Sequence, residues 1–160
     1  MASFTNAADV ISSAVEIERK GFAFYQQAAQ NAAQPEDKDF FTFMANEEKR
    51  HEKIFEEMLK RAGGLELPAG SDEAEYLEYV DLLLNSHCLF MPDQAEALRQ
   101  DPLRQAMAFE KDTILFFVAM RRFVAPSEQG RVDACIEEEQ RHIRLLAEHG
   151  KARAMALKNK

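Results

Sequence analysis

The chain has 160 residues, 46% of them apolar and 30% charged, with a formal net charge of -8 at pH 7, which suits one domain with a substantial core. That acidic balance argues against a nucleic-acid partner in spite of the basic end KARAMALKNK; no run of 18 apolar residues exists to span a membrane, and MASFTNAADV lacks the layout of a secretory signal. Cys88 and Cys135 are far apart and form no CxxC pair, so neither a disulfide framework nor a cysteine zinc site is supported, and a reducing, cytoplasmic setting fits.

The predicted elements are helices divided by scarce glycine and proline. The first runs from about Asn6 to Asn31. The second starts near Pro35, which suits a first helical position, and stops at Gly63-Gly64. Residues 63 to 101 form a long join in which EAEYLEYVDLLLNSH reads as a further helix. The third long helix begins at Asp101-Pro102 and ends before Pro126; the fourth starts near Ser127 and ends at Gly150. Residues 151–160 are then a frayed, solvated basic tail, and residues 1–150 the domain. Short connections pair helices one and two, and three and four, as antiparallel hairpins. Two hairpins joined by a long crossover make an all-α, ferritin-like four-helix bundle.

The two halves also resemble each other. NEEKRH at 46–51 aligns with EEEQRH at 137–142, and IERKGFAFY at 17–25 with FEKDTILFF at 109–117, at offsets of 91 and 92 residues. A duplicated hairpin packed about a pseudo-twofold axis would bring equivalent residues face to face.

Helix periodicity then singles out four glutamates on apolar stripes. Glu18 shares its face with Ile11, Ala14, Val15, Phe22 and Tyr25, and Glu48 with Phe41, Met44, Ala45 and Phe55. Glu110 lies with Ala106, Met107, Ile114 and Phe117, and Glu139 with Val132, Cys135, Ile136 and Ile143. Buried carboxylates need shared protons, basic partners or cations, and no core-facing Lys or Arg balances these, so cations are the best answer. His51 follows Glu48 by three residues and His142 follows Glu139 by three, so each pair projects from one helix face. One Glu from each of two helices and Glu-x-x-His from each of the other two is the known ligand pattern of ferritin-like di-iron and di-manganese proteins.

On EIERKGFAFY with EEKRH, and FEKDTILFF with EEEQRH, the chain resembles the rubrerythrin family over nearly all of residues 9 to 149. The resemblance implies that Glu18, Glu48, His51, Glu110, Glu139 and His142 bind two irons, and that Tyr25 hydrogen-bonds near them. It implies a rubrerythrin-like peroxidase or oxidase acting on hydrogen peroxide or dioxygen in oxidative-stress defence. The chain departs from the family in three ways: it has no rubredoxin-like four-cysteine module, Thr113 replaces the extra third-helix glutamate, and Phe117 stands in place of a second tyrosine. An external donor, rubredoxin-like or a flavoprotein, is then expected to supply electrons. Such bundles also tend to be homodimers or larger, with hairpin exchange between subunits open to a chain with a long crossover.

Carboxylate and imidazole ligands suit Fe, Mn or Zn alike, and the resemblance favours iron. Glu48 and Glu139 are expected to bridge two metals, with Glu18 and His51 capping one and Glu110 and His142 the other. The alternatives are a ferroxidase or iron-storage protein, and a metal-binding protein without turnover. Glu47, Glu52, Glu56, Glu57, Glu138, Arg50 and Arg141 read as solvated surface, His87 and His149 as crossover or surface packing, and Phe24, Phe40, Phe43 and Phe116 as core. Cys135, one turn before Glu139, reads as a small apolar core residue, a redox role being the lesser alternative.

Overall fold

The structure is a computed structural model that describes residues 4–62, 71–91 and 101–159. Its helices are α1 (Ala7–Asn31), α2 (Pro35–Arg61), α3 (Ser71–Ser86), α4 (Pro102–Met120) and α5 (Pro126–Lys158), with short 3-10 turns at Cys88–Phe90 and Arg121–Phe123. The expected helix stop at Gly63-Gly64 lies outside the described residues.

Local chemistry sets these boundaries. Asn6 caps α1 by accepting the Asp9 N–H, while Asp9 reaches back to the Asn6 N–H, so two orphan donors are satisfied reciprocally. Proline occupies the first position of α2, where no N–H is needed, with Glu36 and Asp37 in the first turn and Lys60 and Arg61 in the last, matching the helix dipole. Asp101 caps α4 through the N–H groups of Leu103 and Arg104.

One end of α2 meets α5 through a bidentate Arg61–Glu128 pair at 2.9 and 3.0 Å, and the other end through Asp37 and His149 at 2.7 Å. The start of each helix therefore faces the end of the other, and the two run antiparallel. Within the bundle, Val10, Ile11, Ile17, Phe41, Phe55, Met58, Phe116, Phe117 and Leu146 are buried. The crossover helix α3 is tied to α4 by the Tyr76 hydroxyl, which donates to the Ala119 carbonyl at 3.1 Å. None of the described helices is long and apolar enough to cross a membrane.

Two expectations are corrected here. The fourth helix does not end at Gly150 but continues to Lys158, with residues 151–159 exposed. A mid-helix glycine costs only about 1 kcal/mol relative to alanine, and the Lys, Ala, Arg, Met and Leu beyond it are all good helix formers. His149, one residue earlier, stacks on Phe40 with ring centroids 4.1 Å apart, so it packs against the bundle beside the glycine. Phe43 is the second correction: it is 43% exposed, on the outer face of α2. Phe24 and Phe40 are half-buried against the core, and Phe116 is fully buried.

Candidate metal centre

Mid-bundle, the stripes of α1, α2, α4 and α5 converge on one polar cluster. Glu18, Glu48, His51, Glu110, Glu139 and His142 are each 0% exposed. Ligand-type atoms of Glu18, Glu48, His51 and Glu139 all lie within 4.8 Å of one another, and so do those of Glu48, Glu110, Glu139 and His142. Glu48 and Glu139, carried by the repeated helices, are common to both groups. The imidazoles lie 5.7 Å apart, centroid to centroid.

Both histidines turn Nδ1 inward. His51 Nδ1 is 2.6 Å from Glu139 Oε1 and 3.7 Å from Glu18 Oε1. His142 Nδ1 is 2.8 Å from Glu139 Oε2 and 3.5 Å from both Glu48 Oε1 and Glu110 Oε1. The Tyr25 hydroxyl, fully buried, donates a short hydrogen bond to Glu110 Oε1. Space for Glu48 is provided by Gly21, one turn after Glu18: a Cβ there would lie 2.8 Å from Glu48 Oε2 and would also strike the Phe109 ring. Glycine is required at this position by close approach.

The protein alone leaves this cluster poorly satisfied. Both oxygens of Glu18 and of Glu48, together with Glu110 Oε2, are buried without a hydrogen-bond partner. Burial, followed by the neighbouring Glu139 charge, pushes Glu18 and Glu48 well above the ordinary carboxylate range and Glu110 up to about 8. Burial acts on Glu139 in the same sense, but hydrogen bonds from His142 and His51 outweigh it and hold that carboxylate low. Burial also opposes protonation of His142, yet contact with Glu110 and Glu139 raises it to about 11. Without a cation, burial favours the protonated carboxyls of Glu18, Glu48 and Glu110, while Glu139 stays ionised beside the histidines. Buried, unpartnered oxygen donors beside two imidazoles fit two divalent cations, which would neutralise the carboxylates and partner the orphaned oxygens.

The surface assignments for Glu138 and Glu47 are overturned, whereas Arg50 and Arg141 are exposed as expected and reach across to them. Glu138 on α5 reaches across to α2, where its Oε2 accepts from His51 Nε2 at 2.6 Å and from the Arg50 guanidinium. Its counterpart Glu47, only 16% exposed at the side chain, accepts from Arg141 at 2.6 Å and stands 3.8 Å from His142 Nε2. Each carboxylate faces the outer nitrogen of a histidine on the opposite helix, and the hydrogen bond that Glu138 makes orients the His51 imidazole and raises its basicity. Glu52, expected to be solvated, is 2% exposed and bound by Arg19 at 3.1 Å and Lys49 at 2.6 Å. Helix periodicity placed these residues correctly off the ligand stripe but is silent about the neighbouring helix. The signal available was the repeat itself: Glu47 and Glu138 recur at the same offset as the glutamates beside them.

The other cysteine and histidine side chains fall as follows. Cys135 is buried beside the cluster, and burial, then Glu139, pushes its thiol up to about 12. That keeps it a neutral thiol. His87 is 0% exposed and packs with Cys88 and Asp112 where the crossover meets α4, with Nε2 3.1 Å from Thr113 Oγ1.

Comparison with known proteins agrees with this architecture. The sequence model of the family described as Rubrerythrin matches residues 9–150. A protein from Thermotoga maritima described as ferritin-like and diiron-carboxylate has a similar structure, with a TM-score of 0.70 and 23% identity, covering 92% of this chain and 96% of that one. No curated protein sequence matches the chain.

Proposed function

Given that the chain belongs to the rubrerythrin family, we propose that its buried cluster holds two iron ions and reduces hydrogen peroxide or dioxygen. The observation that carries this reading is the set of unpartnered carboxylate oxygens and inward-facing imidazole nitrogens within two overlapping four-residue groups. Glu18 and His51 would hold one ion and Glu110 and His142 the other, with Glu48 and Glu139 shared between them. The same donors accept Mn or Zn.

Iron bound here supplies the electrons and the Lewis acidity for reduction of an O–O bond. The chain's own residues set the conditions. Glu139 receives both histidines, fixing their Nδ1 atoms toward the centre, and Glu138 holds His51 from outside, while Glu47 stands 3.8 Å from His142 Nε2. Tyr25 fixes Glu110 through the donated hydroxyl proton. The surrounding apolar side chains exclude bulk water, which strengthens every charge interaction inside. Electrons for repeated turnover come in this reading from an external rubredoxin-like or flavoprotein donor. The setting is cytoplasmic defence against oxidants, and the working assembly a homodimer or larger.

The test is anaerobic loading with ferrous iron followed by peroxide. The reading expects two irons per chain, stoichiometric consumption of peroxide, and loss of bound iron in Glu48→Ala and Glu139→Ala. Fewer than two irons per chain, or full iron retention in both variants, would exclude the site. Iron that binds but leaves peroxide untouched identifies a binding protein instead, and a very large particle on sizing identifies iron storage.

A further inference from the structure

We infer that Thr113 is the hydrogen-bond donor for the small ligand taken in at the Glu110–His142 end of the centre, and that His87 keeps it a donor. The inference rests on the di-iron reading above. It starts from an asymmetry in the repeat: Gly21 and Thr113 are equivalent positions, 92 residues apart and each three residues beyond a cluster glutamate. At Gly21 the space for a side chain is closed by Phe109 and Glu48. At Thr113 a fully buried hydroxyl stands one turn along α4 from Glu110. Only one end of the centre therefore carries a neutral donor of this kind.

The direction of the Thr113 hydrogen bond follows from the far side of the His87 ring. Nδ1 accepts the backbone N–H of Leu89 at 3.3 Å, so it carries no proton. Burial holds the imidazole down to about 4, which keeps the ring neutral, and a neutral ring has its single proton on the other nitrogen. Nε2–H therefore donates to Thr113 Oγ1 at 3.1 Å. Edge-on packing against Phe90 and Phe109, with centroids 5.6 and 5.9 Å away, holds the ring in this orientation. The threonine's own proton remains. Among the described residues, His87 is the only hydrogen-bond partner of that hydroxyl. A buried donor proton without an acceptor is costly, and an anionic or peroxidic ligand entering beside Glu110 supplies the missing acceptor. His87 acts as a positioning residue, because by donating to Oγ1 it leaves the hydroxyl proton free for that ligand.

The experiment uses azide as probe on the full chain loaded with ferric iron, read by its charge-transfer absorption. Thr113→Val is expected to retain two irons per chain and to bind azide roughly tenfold more weakly, the size of one lost hydrogen bond. Thr113→Ser, which keeps the hydroxyl, restores the affinity. In the metal-free chain, 15N NMR should show His87 as the Nε2–H tautomer. Unchanged azide affinity in an iron-loaded Thr113→Val protein overturns the inference while leaving the di-iron reading intact. Iron loss in that variant overturns it too, by showing that the hydroxyl serves Glu110. An Nδ1–H tautomer overturns it without any metal, whether or not the valine variant folds. A wild-type chain that takes up no iron sinks the di-iron reading and the inference together.

Discussion

His51 on α2 donates from Nε2 to Glu138 Oε2 on α5 at 2.6 Å, while Nδ1 of the same ring faces Glu139, the next residue on α5, also at 2.6 Å. Two consecutive glutamates of one helix thus grip both nitrogens of a histidine on another. The repeat reproduces the arrangement more loosely at His142, with Glu47 at 3.8 Å from Nε2. This inequality makes the two halves experimentally separable. Glu138→Gln should weaken binding of one of the two irons by about 10–100-fold, the usual cost of losing an outer partner of a histidine ligand. Glu47→Gln should do so by less. Ferrous titration monitored by bound metal per chain separates the two effects, and equal effects would show that the 2.6 Å contact has no special weight.

Glu48 offers a test of conflict between stability and function. Its carboxyl is buried, unpartnered and pushed high by burial, Glu139 and Glu110, so its charged form opposes folding of the metal-free chain. Glu48→Gln keeps the shape and removes that charge. At pH 8 the metal-free variant should melt at least as high as the parent, and a gain of about 1 kcal/mol would appear as roughly 2–4 °C in Tm for a chain of this size. Bound iron should fall at the same time. A lower Tm with unchanged iron content would refute the assignment.

The metal-free protein should lose stability as pH rises from about 5 to 9. Glu18, Glu48 and Glu110 have folded pKa values above their unfolded ones, so their contribution is complete below about 4.5 and declines as they ionise, Glu110 near 8. His142, raised to about 11, contributes with the same sign: its stabilisation is complete below about 6.5 and declines as pH rises toward 11. Glu139, held low, acts oppositely, its contribution being lost only as pH falls below the unfolded carboxylate range. Thermal melts across this range, with and without ferrous iron, should diverge toward high pH. Metal uptake at pH 7 should release protons, measurable in weakly buffered solution.

Gly21→Ala should destabilise the protein although alanine is the better helix former by about 1 kcal/mol. The added methyl meets Phe109 and Glu48, and overpacking of this kind typically costs about 1–3 kcal/mol. Because Glu48 is shared by both ligand groups, iron stoichiometry should fall together with Tm. Gly130→Ala is the control, since nothing lies within 4 Å of its added carbon, and it should hold or raise stability.

Removing residues 151–160 should leave the fold and the iron content unchanged, with a stability loss within about 0.5 kcal/mol. Residues 151–159 are exposed although helical, and Arg153 reaches Asp37 only at 3.6 Å. A Tm drop of many degrees would mean that this last helical segment packs against something the single chain does not show.

Spacing within each helix determined much of this protein by itself. Proline and cap residues set several of the described helix boundaries, and the stripes carrying Glu18, Glu48, Glu110 and Glu139 identified which carboxylates enter the bundle, because a side chain's direction about its own axis follows from a period of 3.6. The repeated Glu-x-x-His pairs then told which histidines go with them. Tertiary structure decided what stands opposite. Glu138 and Glu47 sit off the ligand stripe and so read as surface, yet the neighbouring helix brings a histidine to one and an arginine to each. His87 lies in a crossover whose path no periodicity specifies, and only its docking on α4 reveals Thr113 as its partner. Gly150 looked like a stop because a glycine penalty is visible in sequence, whereas the good helix formers around it and the packing of His149 on Phe40 outweigh that penalty once the chain is folded. Local periodicity fixes a side chain's direction, and only the packing of one helix on another supplies its partner.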